Sequence, residues 1–483
     1  MLPYFYSIYG YVIFIYATSI TLIYLTLAVI GYFNIYRNRV RYTKREENML
    51  IQYPESAPGI SIIAGAFNEE IIIVDSIKSL LSLEYPTFEI IIVNDGSTDK
   101  TLQLMIDKFS LIEVPYAYIE KVACKPYKRI FKSTESRFKQ LIIVDKVNGG
   151  TKADAMNAGV NVAKYDYFIN TDVDCILAPD TLKKIILPVL DSEITVIAVG
   201  ATMRMANGCD FSEGRITRVR PPKEIIPTFQ ETEYLRSYLV AKMGWSAFNA
   251  IPNVSGGFGL FNRLTVIACG GYNPNSHAED MDMTLRMIAY KMERKEPYRI
   301  IQSPHSCCWT EGPPNLKVLA RQRTRWGRGL MQIFFNHRKF LFNRKYGKMG
   351  FIIMPYALFF ELLAPIIETF GFLFLLFQLF SQHVNFTTFW IMLAYVYMIG
   401  ISVSTITILF DISLKKQYQT FKEYLRLILF AAFEALLYHP FVILFTLRGY
   451  FQFFTKKNYK WGKMTRRGFS TPTNPQSNNH KAA

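Results

Sequence analysis

YDYFINTDVD, residues 165–174, opens as an aromatic and apolar run and closes on two aspartates that flank a single valine. The run has the composition of a buried strand. Three earlier stretches share its pattern, ISIIAGA (60–66), EIIIVND (89–95) and QLIIVDK (140–146), each followed by a polar turn and a helix-like segment. Buried strands alternating with helices predict an α/β domain with a mostly parallel, Rossmann-like sheet between about residues 55 and 320.

In such a sheet, ligands collect beyond the carboxyl ends of the strands. Those ends carry Asn68-Glu69, Asp95-Gly96-Ser97, the loop NGGTK (148–152) and Asp172-Val173-Asp174. A single acidic turn such as the one at Asp95 serves as readily as a helix cap; four polar ends on one rim are harder to assign to capping. Read as extended chain, Asp172 and Asp174 project to the same side. Two hard oxygen donors so placed suit Mg2+ or Mn2+, with phosphate oxygens completing the shell; the alternative is a solvated acidic turn. Gly149 and Gly150 let backbone N–H groups approach a phosphate, and Lys152 adds a point charge. Beside the two aspartates, this loop points to a nucleotide diphosphate.

Farther along, VSGGFGLF (254–261) supplies a glycine-rich turn and HAEDMDM (277–283) places three acids at the start of a helix. Glu279 and Asp280 either favour that N-terminus or include a general base for an acceptor hydroxyl. In RQRTRW (321–326), Gln322, Arg325 and Trp326 share one helix surface. Arginine neutralises phosphate and tryptophan offers a flat face to a sugar ring, although the cluster also suits an electrostatic membrane anchor.

The 483 residues are half hydrophobic and 15% aromatic, with a net charge of +17. Two or three structural units are expected, with an acidic partner in the form of nucleic acid, anionic lipid or a phosphorylated small molecule. No nucleic-acid motif or basic-aromatic stripe accompanies the charge, which sets nucleic acid aside. The six cysteines lack C-x-x-C spacing and read as reduced thiols on the cytosolic side, with Cys307 and Cys308 as packing residues.

Hydropathy adds a membrane. Residues 3–36 are nearly uncharged and run into RNRVRYTKR, which predicts an uncleaved helix ending in the cytosol. Further spans are expected at 351–381 and 386–410, and Lys415, Lys416 and Lys422 place the loop at 411–423 back in the cytosol. A last apolar stretch, 424–454, is interrupted by His439-Pro440; a break there into two short helices returns the basic tail to the cytosol. The expected organisation is an anchor at 1–40, a catalytic domain with interfacial helices at 41–345, membrane helices at 346–455 and a basic tail at 456–483. Glu361 and Glu368, seven residues apart, share a helical face that must avoid hydrocarbon, either lining a polar path or making structural hydrogen bonds.

The ordered set of D-G-S (95–97), D-x-D (172–174), E-D (279–280) and Q-x-x-R-W (322–326) resembles the membrane-embedded, processive family-2 glycosyltransferases, which include cellulose, hyaluronan and poly-N-acetylglucosamine synthases. The resemblance runs from about Ile60 to Arg467 and implies a GT-A fold. It implies that Asn68, Glu69, Asp95, Lys152, Asp172, Asp174 and Arg325 bind the nucleotide and donor. Asp172 and Asp174 would hold the metal, Asp280 with Glu279 would supply the base, and Gln322 and Trp326 would line the acceptor side. The family's T-E-D is Ala278-Glu279-Asp280 here, and the proline and tyrosine usual before the first N-E are Gly65 and Phe67. Trp461, Thr465 and Arg466 are similar to a hyaluronan-synthase gating element with two residues inserted, or else serve as a lipid anchor.

The implied activity is inverting, metal-dependent transfer of a sugar from a UDP-sugar to a growing polysaccharide, coupled to export of an exopolysaccharide through the protein's own helices. The implied setting is a plasma or inner membrane with the catalytic domain cytosolic and accessory secretion subunits as possible partners. The alternative is a single transfer to a lipid-linked acceptor. From another class, a silent basic scaffold would leave the ordered acids without a purpose.

Overall fold

The strands expected from the apolar runs form because their residues are buried on both faces, as a parallel strand between helix layers requires. The computed structural model describes residues 2–41, 44–212, 214–381, 386–414 and 417–455. Its strands are β1 (Ile60–Ala66), β2 (Phe88–Asn94), β3 (Leu111–Glu113), β4 (Tyr127–Ser133), β5 (Leu141–Lys146), β6 (Tyr167–Asp172), β7 (Cys175–Leu177), β8 (Val196–Met205), β9 (Asp210–Ser212), β10 (Arg215–Arg218), β11 (Phe258–Asn262) and β12 (Arg299–Thr310). Ten of them make one sheet in the order β3-β4-β5-β2-β1-β6-β11-β8-β12-β7, and β9 and β10 form a separate hairpin. The central strands β5, β2, β1 and β6 are parallel, but β4, β11 and β7 each run antiparallel to their neighbours. The sheet is therefore more mixed than the alternation of apolar runs suggests.

Register places the rim. Gly65 of β1 lies opposite Asp172 of β6, and Ala66 lies opposite Asn94 of β2, so the three strands end level and their loops emerge side by side.

Among the described residues, three helices are long and apolar enough to cross a membrane, Gly10–Asn38, Met349–Phe380 and Phe389–Leu414. The last apolar stretch is a pair, Phe421–Leu437 and His439–Thr455, bent by 51° at the His-Pro interruption. Both arms return to the sheet domain: Arg426 donates to Lys223 O at 2.6 Å, and Phe453 lies 5.2 Å from Phe335. The expected span from 351 begins at Met349 and contains two π-helical turns, Met349–Ile353 and Leu358–Leu362. Glu361 lies in the second π turn and the break after that turn separates it from Glu368, so the two acids part company: Glu368 meets His439 at 2.7 Å, whereas Glu361 feels the charge of Lys242. Lys415, Lys416 and the tail with Trp461, Thr465 and Arg466 lie outside the described residues.

One rod joins the sheet domain to these helices. It runs Ile225–Leu235 as α-helix, Arg236–Lys242 as a π segment, then Met243–Ala247 as α-helix. Against it packs the N-terminal helix, whose Asn34 donates to Met243 O at 3.0 Å.

Three arginines close the seam, Arg204 and Arg323 buried and Arg236 half-buried. Arg204 of β8 donates to Glu231 at 3.0 Å, to Ser306 at 2.7 Å and to Asp411 of the third apolar helix, while Tyr418 completes the cluster. Arg236 grips Glu434 through both guanidinium nitrogens at 2.8 and 2.6 Å, and Arg323 does the same to Glu233 at 2.7 and 2.5 Å. Asp411 and Tyr418 thus lie against the sheet domain.

Candidate functional site

At the end of β2, Gly96 has φ +66°, and a Cβ there would come within 2.9 Å of Asn148 N, so the turn requires glycine. That close approach brings the 148–152 loop onto Asp95. Gly149 N donates to Asp95 Oδ1 at 2.9 Å, and Asn148 donates to the Asp95 carbonyl at 2.6 Å. Lys146, wholly buried at the end of β5, bridges Asp95 at 2.6 Å and Asp154 at 2.5 Å. Asp95 is thereby a keystone of the loop rather than a cap, and Lys146 is the functional-rim residue that the sequence pattern missed. Asn68, at φ 56°, stitches the neighbouring turn: its Oδ1 accepts from Thr98 N at 2.8 Å and its own N–H donates to Ser97 Oγ at 3.0 Å. The Glu69 N–H donates to Thr101 Oγ1 at 2.8 Å. Asn68 and Glu69 hold the β1 and β2 loops together at the rim.

Asp172 ends β6, but Val173 and Asp174 form a turn, not extended chain. The alternation argument for their shared side fails for that reason; the turn itself brings them together. Oxygen atoms of Asp172 and Asp174 and the sulfur of Cys175 all lie within 4.8 Å of one another. Two part-exposed carboxylates with an adjacent thiol fit a divalent ion of the Mg2+ or Mn2+ kind through their oxygens. Lys152, at the start of helix Lys152–Val162, pairs with Asp172 and donates to Gly256 O at 2.5 Å. Burial works against the Lys152 ammonium, but Asp172 and Glu279 more than offset it and hold its pKa above the ordinary lysine range.

The glycine pair 256–257 stands between the two acidic groups. A Cβ at Gly257 would lie 3.4 Å from Asp172 Oδ2, and one at Gly256 would lie 3.4 Å from Asp280 Oδ2. Gly256 N–H donates to Asp280 Oδ2 at 2.9 Å, which fixes that carboxylate at the mouth of helix Glu279–Glu293. Beside it, burial and the Asp280 charge raise the Glu279 carboxyl, while Arg325 and Lys152 pull it down. The third acid of the motif, Asp282, turns away to His337 at 2.8 Å and Arg286 at 2.8 Å and is structural.

RQRTRW lies in helix Leu316–His337, capped by Asn315, whose side chain accepts from Val318 N at 3.0 Å. Gly327 and Gly449 let this helix and His439–Thr455 touch backbone to backbone; a Cβ at either would meet main-chain atoms of the other at 2.6 or 2.4 Å. The hexapeptide divides its work. The charge of Arg325 reaches Glu279 and His277; burial, Arg328 and Arg325 depress the His277 pKa to about 4. Gln322 accepts from Gln230 at 3.2 Å, and Arg323 is closed on Glu233 with its guanidinium 4.5 Å from the Trp326 ring. The structure thus gathers Asp172, Asp174, Lys152, Glu279, Asp280 and Arg325 at one place, with Asp95, Asn68 and Glu69 shaping its loops. The six cysteines are free, with Cys307 and Cys308 fully buried.

A family model described as "Glycosyltransferase like family 2" matches residues 58–329. Curated relatives include a protein named poly-beta-1,6-N-acetyl-D-glucosamine synthase from Staphylococcus epidermidis, 28% identical over 282 residues, covering 57% of this chain and 55% of the relative. One of the same name from Staphylococcus aureus is 28% identical over 290 residues, covering 58% of each. The chain spans little more than half the length of these relatives. Among solved structures, a mannosyltransferase from Pyrobaculum calidifontis, in complex with GDP-Man and Mn2+, aligns with TM-score 0.47 and 16% identity over 89% of this chain and 100% of that one. The family match takes in the strand-end rim, the 279–293 helix start and Q-x-x-R-W, and it covers over half of the chain, which belongs to the family 2 glycosyltransferases.

Proposed function

We propose that the protein transfers N-acetylglucosamine from UDP-N-acetylglucosamine to the end of a growing polysaccharide, with inversion, and passes the product along its own membrane helices. The observation that carries this reading is the juxtaposition across Gly256-Gly257 of the Asp172 group with Asp280, 3.4 Å from the added Cβ on either side. One side suits a diphosphate and the other an attacking hydroxyl. The names of the curated relatives support the choice of sugar.

In the proposed reaction the acceptor oxygen forms a bond to the anomeric carbon, the bond to UDP breaks, and Asp280 takes the hydroxyl proton. A single displacement inverts the anomeric centre. General-base assistance of this kind contributes about 10²–10⁴-fold. Gly256 N–H holds the base in place, Lys152 neutralises charge beside Asp172, and Arg325 does so beside Glu279. A divalent ion held by Asp172 and Asp174 would offset the charge of the departing diphosphate. Asp95, Asn68 and Glu69 are assigned to the nucleoside side, and Gln322 and Trp326 to the acceptor side. A plasma or inner-membrane location with the catalytic domain in the cytosol, and secretion subunits as partners, complete the reading.

The test is product analysis after incubating purified protein separately with UDP-N-acetylglucosamine and UDP-glucose. Polymer from the first alone is the expected result. Release of a singly glycosylated lipid would favour the single-transfer reading, and no UDP release from any UDP-sugar would refute both.

A further inference from the structure

The rod that bears the seam carries one cation that the seam does not use. Glu231, Glu233 and Arg236 are each closed by ion pairs, whereas Lys242, 8% exposed, has no hydrogen bond or ion pair with another described residue. Its ammonium rests 4.7 Å from the centre of the Tyr238 ring. Tyr238 in turn lies beside Ser255, next to the Gly256 N–H that holds Asp280. From the other direction Lys242 feels Glu361 of the second apolar helix, and the Glu361 carboxylate likewise has no hydrogen bond or ion pair with a described residue. Burying unpaired charges costs several kcal/mol unless something satisfies them.

Both side chains also stand on π-helical segments, Arg236–Lys242 and Leu358–Leu362. Such turns are rare and recur at functional sites, because the widened turn re-aims a side chain. Burial draws the Lys242 pKa down to about 8, with Asp280 and Glu361 supporting its charge. A donor and an acceptor therefore stand without protein partners, the one beside the base and the other at the start of the membrane helices.

We propose that Lys242 and Glu361 form an acceptor subsite that reads the N-acetyl group of the sugar at the end of the growing chain. An amide presents its C=O and N–H in opposite directions, matching an ammonium on one side and a carboxylate on the other. A free amine is repelled by Lys242, a sugar carboxylate is repelled by Glu361, and a hydroxyl in the same position spans the two less well. This subsite rests on the transfer reading above but assigns specificity to residues outside the donor site.

The experiment uses the full chain in nanodiscs with saturating UDP. Calorimetric titration compares an N-acetylglucosamine pentasaccharide with its de-N-acetylated form and with a glucose pentasaccharide. Wild type is expected to bind the N-acetylated chain about tenfold more tightly, the worth of one charge-assisted hydrogen bond. Lys242→Met and Glu361→Gln should each reduce the preference to about twofold, Lys242→Arg should retain it, and UDP affinity should stay unchanged in all three. Equal binding of the three sugars by wild type, preference kept in Lys242→Met and Glu361→Gln, or UDP affinity falling in parallel, each overturns the subsite. UDP release from UDP-N-acetylglucosamine, measured on the same wild-type sample, separates the two levels: release with no sugar preference sinks the subsite alone, and no release sinks the transfer reading with it.

Discussion

At the seam, Arg204, Arg236 and Arg323 are each closed on carboxylates, and Arg204 and Glu231 are almost wholly shielded from water. At the rim, Asp172 keeps 36% of its side chain exposed and shares Lys152 with a backbone carbonyl. The same residue types thus do opposite work. A closed ion pair fixes the relative placement of two elements and has nothing left to offer a ligand; a part-open one can exchange its partner for phosphate or metal. RQRTRW straddles the divide, with Arg323 committed to Glu233 and Arg325 beside Glu279. A basic cluster in a sequence is therefore a mixture until each guanidinium has been followed to its carboxylate.

The sharpest way to break this division is at the base. Asp280→Asn should lower transfer by about 10²–10⁴-fold while leaving UDP affinity intact, because the amide cannot accept a proton; UDP release and nucleotide titration read the two separately. Lost UDP binding would move Asp280 to the donor side of the site. At the seam, Arg204→Met should cost about 3–5 kcal/mol by stranding Glu231 and Asp411. Thermal unfolding in detergent measures that loss, and if the variant is as stable as wild type, the seam is not a structural clasp.

Next in size, Asp172→Asn and Asp174→Asn should weaken metal-dependent UDP binding about 10–100-fold with little change in melting temperature, since part-exposed ligands hold up little of the fold. A full metal requirement with unchanged affinity in both variants would remove the pair from the site. The smallest effect is expected at Trp326. Its ring carries the Arg323 guanidinium at 4.5 Å, so Trp326→Ala loses about 0.5–2 kcal/mol of cation–π contact along with its sugar-stacking face. Polymer synthesis in detergent should fall about tenfold with anionic-liposome association unchanged. The reverse pattern would return the hexapeptide to the role of lipid anchor.

The strands buried on both faces were legible because their apolar runs are scarcely interrupted: ISIIAGA, with Ser61 its one polar residue, is β1 residue for residue. β4, YKRIFKS, was hidden by its exposed lysines and arginine, and β12, RIIQSPHSCCWT, by the proline, histidine and serines that its bulged pairing accommodates. At the site, the acids could be read because their spacing is local, even though a turn rather than a strand joins Asp172 to Asp174. Lys146 and the seam could not. Arg204 and its partner Asp411 lie 207 residues apart, and no local pattern links them. The π segments leave no periodic trace either, since seven residues are too few to shift an apolar repeat visibly.

The ten-stranded sheet begins and ends on its two shortest members, β3 and β7, each three residues long. A long bare margin is a template on which another chain can add a strand, and stubs of this length offer too few free N–H and C=O groups to start one. The outermost strands therefore give a second copy of the chain little to pair with. Self-association, where it occurs, has to proceed through side chains on the helices, where it can be tuned by substitution without touching the strands that carry the rim.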